Sequence, residues 1–115
     1  MIKGLIIKDP WISMILHGVK TWEMRSRNTK IRGRILLIKS GSGKVYGEAD
    51  LVDVINFKDE NLKNLMSKIG NHCVDYSEKP EFNKYRYAWV LENVFEYEEP
   101  IPYIHPQGAV IWVKF

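Results

Sequence analysis

The stretch Gly18-Val19-Lys20-Thr21-Trp22-Glu23-Met24-Arg25 brings a helix stop, an ammonium, a carboxylate and a guanidinium together in one short segment. In a strand leaving the glycine, successive side chains point to opposite faces. One face would then carry Thr21, Glu23 and Arg25, and the other face the two apolar side chains. Lys20 lies at the corner after the glycine, where its side chain could reach the polar face. The simpler alternative is an amphipathic strand with a surface ion pair.

The composition is that of a globular protein. The chain has 115 residues, of which 45% are hydrophobic and 27% are charged, so we expect one domain spanning residues 1–115. No run approaches the roughly 18 apolar residues needed to cross a bilayer, and the first residues lack the features of a signal peptide. Cys73 is the only cysteine, which agrees with a reducing compartment. We therefore expect a soluble, cytoplasmic protein without membrane association.

The charge is unevenly distributed along the chain. The net charge is +3. Residues 20–44 contain many basic side chains and a single acid, Glu23, whereas acidic side chains outnumber basic ones in residues 45–104. A basic segment of this kind suits a phosphate-binding surface. A solvated surface that keeps the protein soluble is the alternative. The basic side chains of the segment are Lys20, Arg25, Arg27, Lys30, Arg32, Arg34, Lys39 and Lys44.

Hydrophobic periodicity predicts an α+β fold with about six strands and two short helices. Because the strands are mostly consecutive, we expect a small closed or nearly closed β-barrel with the helices covering a cleft. Besides the strand after Gly18, the predicted strands cover 2–7, 33–40, 45–57, 85–97 and 109–115. The segment Pro100-Ile101-Pro102 is predicted to be extended.

Capping signals place the two predicted helices. Asp9 is a favoured N-cap and Pro10 suits the first position of a helix that stops at Gly18. Asp59 is the predicted cap of a second helix, which ends at Gly70. Residues 71–84 show no periodicity, and we expect a long loop that acts as a lid or flexible rim.

Several familiar motifs are excluded. Gly41-Ser42-Gly43-Lys44 lacks both the first glycine and the final Ser or Thr of a phosphate-binding loop. The three histidines and the cysteine show no ligand spacing, so neither a metal nor another cofactor is expected. His72 and Cys73 are adjacent, and in an extended segment their side chains would point apart, which disfavours a nucleophile pair.

The polar face of the central stretch is the remaining candidate site. Two neighbouring cations would keep Glu23 ionised, which favours a binding or electrostatic role. If a phosphate engaged one of the cations, the same carboxylate could transfer a proton or orient a water. Lys20 could also act as a general base if a pocket favoured its neutral form. The residues alone leave these alternatives open.

Short blocks in this order resemble the ASCH domain family. The family motif G-x-K-x-x-E-x-R is matched by Gly18, Lys20, Glu23 and Arg25, and the order of elements covers nearly the whole chain. The other blocks that carry the resemblance are Asp9-Pro10-Trp11, Arg32-Gly33-Arg34-Ile35, Tyr87-Ala88-Trp89-Val90-Leu91-Glu92-Asn93 and Glu99-Pro100-Ile101-Pro102.

The resemblance implies a PUA-like fold in which Lys20, Glu23 and Arg25 line a cleft. Members of the family have been assigned RNA binding, coactivator roles, cleavage of single-stranded RNA and removal of the acetyl group from N4-acetylcytidine. The fold alone therefore does not select one function.

Each enzymatic branch fits this chain only partly. The amidohydrolases of the family use a lysine, a threonine three residues later and a more distant glutamate. Lys20 matches the lysine, but Glu23 occupies the threonine position, and either Glu78 or Glu81 could be the glutamate. The nuclease branch has no short motif to transfer. Its candidate contributors here, near the end of a basic strand, are Lys39, Ser40 and Tyr46.

The leading hypothesis is a module that binds single-stranded RNA or a modified nucleoside through Lys20, Glu23 and Arg25, with Trp11 or Trp89 stacking on a base. The alternative is a small hydrolase, an N4-acetylcytidine amidohydrolase or a single-stranded RNA nuclease, with Lys20 and Glu23 as catalytic groups. A protein-interaction role for the acidic second half has the least support. The sequence leaves the oligomeric state open.

Overall fold

The computed structural model describes residues 2–115. Its core is a six-stranded sheet in the order β2-β5-β4-β3-β1-β6, curled into a half-barrel that is accompanied by three short helices. β1 runs parallel to β3, and every other neighbouring pair in the sheet is antiparallel. The elements are β1 (Lys3–Ile7), α1 (Trp11–Leu16), β2 (Trp22–Arg25), β3 (Gly33–Lys39), β4 (Lys44–Asn56), α2 (Leu62–Met66), α3 (Ile69–His72), β5 (Tyr87–Pro102) and β6 (Trp112–Lys114).

The predicted α+β class and six strands are confirmed, with differences at the strand ends. β5 starts at Tyr87 and continues through Pro102, because Val45 and Lys44 of β4 pair with Ile101 and Pro102. The predicted last strand is reduced to the three residues of β6. The sheet is a half-barrel, and β2 and β6 lie at opposite ends of its strand order.

The first helix is capped one residue away from the predicted position. Pro10 occupies the N-cap of α1, and the Asp9 carboxylate instead accepts hydrogen bonds from the Ser13 amide at 3.3 Å and the Ser13 hydroxyl at 2.6 Å. The helix stops as predicted near Gly18. This glycine adopts φ +79°, a conformation that costs little without a Cβ, and its amide bonds to the Ile15 carbonyl at 3.1 Å.

The predicted second helix is two helices. The cap is Asn61, whose side chain accepts from the Asn64 amide at 2.7 Å, and not Asp59. The Ser67 hydroxyl bonds to the Asn64 carbonyl at 2.6 Å, which competes with regular helix bonding and marks the break between α2 and α3. Gly70 lies inside α3, and the chain turns at Cys73 with φ +58°.

Two buried clusters flank the site described below. Ile12 and Ile15 of α1 pack with residues of β1, β3, β4 and β5, while Met24 packs with Leu65 of α2 and with Val74. Fully burying an aliphatic side chain contributes about 1.5–3 kcal/mol. These clusters fix the start of α1 and the strand β2 relative to each other.

Gly47 allows α1 to approach the sheet. A Cβ at this position would lie 2.7 Å from Leu16 Cδ2 and 2.4 Å from the Phe95 carbonyl oxygen. Only a residue without a side chain fits between the helix and the two strands.

The longest helices of the described chain are far shorter than a membrane span. No helix within residues 2–115 has the length and apolar character needed to cross a bilayer.

Candidate nucleic-acid interface

A cavity of about 500 Å³ opens between the start of α1, strand β2 and the segment that follows α3. One part of its wall is polar and carries Lys20, Glu23 and Arg25. Another part is aromatic and carries Trp11, Phe82 and Tyr85. The cavity therefore offers both charged hydrogen-bonding groups and flat apolar surfaces to a ligand.

Glu23 and Arg25 form the centre of the polar wall. They are two residues apart on β2 and share one face, as the strand alternation predicts. The Arg25 Nε donates to Glu23 Oε2 at 3.0 Å, and Nη2 lies 2.9 Å from the same oxygen in an ion pair. Glu23 is buried, and Oε1 has no hydrogen-bond partner within residues 2–115. This second oxygen is available to a group in the cavity.

The opposite face of β2 packs as predicted. Trp22 lies 5.6 Å from the Phe57 ring, and Met24 is buried in the same cluster. Thr21 does not join the polar wall, because its hydroxyl instead accepts a hydrogen bond from the side-chain Nδ2 of Asn71 at 3.4 Å.

Arg25 is fixed by three different contacts. Besides Glu23, its Nη2 donates to the Ile6 carbonyl at 2.7 Å, and its guanidinium carbon lies 5.5 Å from the centre of the Trp89 ring. Nη1 has no hydrogen-bond partner among residues 2–115. The guanidinium is thus held in place with one nitrogen left for a ligand.

Lys20 is the most buried cation of the cavity wall. Only 1% of its surface is exposed; Nζ donates to the His72 carbonyl and lies 5.1 Å from the Trp11 ring centre. Burial lowers the pKa of Lys20 below the ordinary lysine value, and the nearby Glu23 carboxylate partly opposes this effect. The lysine is therefore poised to exchange a proton more easily than a surface lysine.

The candidates at the end of β3 form a separate group beside the cavity. Lys39 Nζ lies 3.0 Å from Asp9 and 5.5 Å from the Tyr46 ring centre. The Ser13 hydroxyl and Lys39 both lower the pKa of Asp9. Ser40 lines the cavity, whereas Lys39 and Tyr46 do not.

The two candidate stacking residues differ in access. Trp11 is partly exposed and lines the cavity. Trp89 is 3% exposed, its Nε1 donates to the Arg27 carbonyl at 2.9 Å, and its ring stacks on Trp112 at 5.8 Å. The structure therefore places Trp89 beneath Arg25 and outside the cavity lining.

Sequence reasoning missed most of the wall that follows α3. The predicted loop contains a 3-10 helix, Pro80–Lys84, which brings Phe82 into the lining. Glu78 and Lys79 also line the cavity, and Glu81 does not. The spacing of Phe82 and Tyr85, three residues apart, was the available signal. In the described part of the chain, no three His, Cys, Asp or Glu side chains are grouped so that they could hold a metal ion.

The half-barrel sheet and the short helices define a PUA-like α+β domain. A family model described as the ASCH domain matches residues 5–101. The chain belongs to the ASCH domain family, which is generally associated with RNA binding.

Solved structures of an ASCH protein from Zymomonas mobilis are similar in fold. One has a TM-score of 0.66 at 19% identity and covers 88% of this chain and 73% of that one. A point mutant of the same protein has a TM-score of 0.69 at 18% identity, with coverages of 98% and 88%. No curated protein matches the chain.

Proposed function

We propose that the protein binds single-stranded RNA or a modified nucleoside in the cavity beside β2. The observation that carries this proposal is that Lys20, Glu23 and Arg25 face the same space of about 500 Å³ as Trp11. Pockets that bind small molecules typically have volumes of about 300–1,000 Å³. One base with its sugar is a suitable occupant.

The chemistry of the wall suits an unpaired base. Such bases are recognised by stacking on aromatic rings and by hydrogen bonds to their edges. Glu23 Oε1 could accept from an exocyclic amino group, and Arg25 Nη1 and Lys20 could donate to a ring nitrogen or a carbonyl oxygen. Trp11 would provide the stacking surface. Buried, well-fixed polar groups of this kind give specificity because a wrong ligand leaves them unpaired.

The rim of the cavity supports a phosphate-bearing ligand. Lys8 and Lys79 line the opening and are exposed, and neither forms an ion pair within residues 2–115. Lys39, in contrast, is paired with Asp9. We therefore expect Lys8 and Lys79 to contribute more than Lys39 to the salt dependence of RNA binding.

The test is a titration of wild type and Lys20→Ala with a short single-stranded RNA and with N4-acetylcytidine, each at two salt concentrations. Lys63→Ala is the matched control, because Lys63 is exposed on α2 and does not line the cavity. We expect RNA binding that weakens with salt, is reduced in Lys20→Ala and is unchanged in Lys63→Ala. Equal affinities in all three proteins, or no binding to either ligand, would contradict the proposal.

A second candidate is hydrolysis of an acylated nucleoside or of RNA. It is favoured by the burial that lowers the pKa of Lys20 next to Glu23, because a lowered pKa makes the neutral amine, the form that can accept a proton, easier to populate. For an N-acylated nucleoside, neutral Lys20 would take a proton from a water oriented by Glu23 while the water oxygen bonds to the acyl carbon. The C–N bond would then break, with the proton on Lys20 passing to the departing amine and the acyl group leaving as the carboxylic acid. Mass spectrometry of N4-acetylcytidine and RNA after incubation tests this function. Product formed by wild type and lost in Lys20→Ala supports an enzyme, and absence of product leaves the binding function.

A further inference from the structure

The His72 ring is held at both nitrogens by the main chain. The Val74 amide donates to Nδ1 at 2.9 Å, and Nε2 lies 2.8 Å from the Leu65 carbonyl oxygen. Because an amide can only donate and a carbonyl can only accept, the ring proton must be on Nε2. The ring is fully buried and packs edge-on against Tyr76 at 5.3 Å. His72 is thus a neutral ring in a single tautomer.

The carbonyl of the same residue holds the lysine of the candidate site. Lys20 Nζ donates to the His72 oxygen, and within residues 2–115 this is the only hydrogen bond that Nζ makes. We propose that His72 is a positioning residue for Lys20, because its ring fixes the end of α3 and its main-chain carbonyl then fixes Nζ in the cavity wall. The functional meaning of this placement rests on the proposed role of Lys20 in binding.

The other groups around Lys20 act on its charge and do not locate it through a hydrogen bond. Glu23 and Arg25 face it from β2, Cys73 lies near it just after α3, and the Trp11 ring lies beside it on α1. A carboxylate or a thiol near the amine changes the balance between its charged and neutral forms. The position of Nζ depends on the carbonyl at the end of α3.

The experiment follows the Lys20 ε-methylene group by NMR in the ligand-free chain of 115 residues with ¹³C-labelled lysine. His72→Phe keeps the ring volume and removes both hydrogen bonds. His72→Asn offers an oxygen that can still accept from the Val74 amide. His105→Phe is the control, since the His105 ring is also bonded at both nitrogens, to Tyr103 and Ala109, whereas the carbonyl that accepts from Lys20 belongs to His72.

In wild type we expect two distinct shifts for the ε protons of Lys20, as for an immobilised side chain. In His72→Phe these shifts merge, because Nζ no longer has its carbonyl acceptor in a fixed position. His72→Asn gives an intermediate result, and His105→Phe matches wild type. Unchanged Lys20 signals in a folded His72→Phe protein would overturn the proposal.

A second measurement needs no variant. The ¹⁵N shifts of the His72 ring in wild type report which nitrogen carries the proton, and we expect Nε2 at neutral pH. A proton on Nδ1 would overturn the proposal. Neither measurement uses a ligand, so a failure of RNA or nucleoside binding would remove the proposed function and leave the positioning of Lys20 unaffected.

Discussion

Arg25 and Glu23 meet at a single carboxylate oxygen, Glu23 Oε2, which accepts a hydrogen bond from Nε at 3.0 Å and lies 2.9 Å from Nη2. Both residues are held on one face of a four-residue strand. The pair is largely shielded from water, with side-chain exposures of 19% and 7%. Shielding makes the loss of either partner costly, because the remaining charge has no compensation.

Removing the guanidinium should therefore destabilise the fold. We expect Arg25→Ala to lower the free energy of unfolding by about 3 kcal/mol, since the buried Glu23 loses its partner. Urea denaturation measures this change. Arg32→Ala is the control, because Arg32 is exposed and bonds only to nearby carbonyls, and it should cost less than about 0.5 kcal/mol. Equal effects of the two variants would show that the ion pair contributes little.

Replacing the buried Lys20 with an apolar residue should stabilise the fold. Burial lowers the pKa of Lys20, so the unfolded chain binds a proton that the folded chain releases more readily. In wild type, stability then rises with pH from the lowered pKa up to about 10.4. We expect Lys20→Met to be more stable than wild type at pH 7, with the difference shrinking as the pH rises. Denaturation at about pH 7 and about pH 10, close to the upper end of this window, tests this, and a constant difference would contradict it.

His72 should make the protein sensitive to mild acid. Burial lowers its pKa in the folded state, so below about pH 6.5 the unfolded chain takes up a proton that the folded chain does not. Stability is present above this value and falls with decreasing pH, by at most about 1.4 kcal/mol per pH unit from this residue. Urea denaturation at pH 7.5 and 5.5 should show a larger loss for wild type than for His72→Phe. Identical losses would indicate that another group is responsible.

Trp11 packs against both buried clusters and also lines the cavity, and its ring should contribute to binding. We expect Trp11→Leu to remain folded and to weaken the proposed binding of single-stranded RNA by about 1–3 kcal/mol, the usual contribution of stacking on one base. Quantitative titration measures the change. Phe95→Leu alters an exposed aromatic residue that does not line the cavity, and its affinity should equal that of wild type. A loss of affinity in both variants would rule out a specific role for Trp11.

Two glycines allow a matched comparison of packing. A Cβ on Gly47 would collide with Leu16 and the Phe95 carbonyl, whereas one on Gly70 would meet no atom within 4 Å. We expect Gly47→Ala to lower the free energy of unfolding by about 1–3 kcal/mol. Gly70→Ala, inside α3, should gain about 0.5–1 kcal/mol. Thermal or urea denaturation separates the two, and a tolerated Gly47→Ala would mean that α1 can shift away from β4.

Strand alternation and turn chemistry were sufficient to predict that Lys20, Glu23 and Arg25 lie together, as they do in the wall of the candidate site. The period of two put Glu23 and Arg25 on one face, and Gly18 ended α1 where Lys20 could turn toward them. Both signals are local, and the structure agrees with both.

The positions of the other residues depend on long-range packing, which local sequence patterns do not reveal. Trp11 and Trp89 are equally plausible stacking residues by composition, but only pairing of β5 with β2 buries Trp89 beneath Arg25. Phe82 comes from a segment without periodicity, so its approach to the cavity depends on the 3-10 helix. Asn61 prevailed over Asp59 as a cap, although both are good capping residues.

The hydrogen bond from Arg25 to the Ile6 carbonyl joins β2 to β1, strands that lie far apart in the order of the sheet. The same side chain therefore connects two distant strands of the half-barrel and presents Nη1, which has no hydrogen-bond partner within residues 2–115, to the cavity. A ligand that moved Arg25 toward itself would break the hydrogen bond to the Ile6 carbonyl, whereas a ligand that bound only Nη1 would leave this bond intact. Redesign of the binding site at Arg25 is thus also redesign of the scaffold, and a change of specificity is better sought at Trp11 or Phe82.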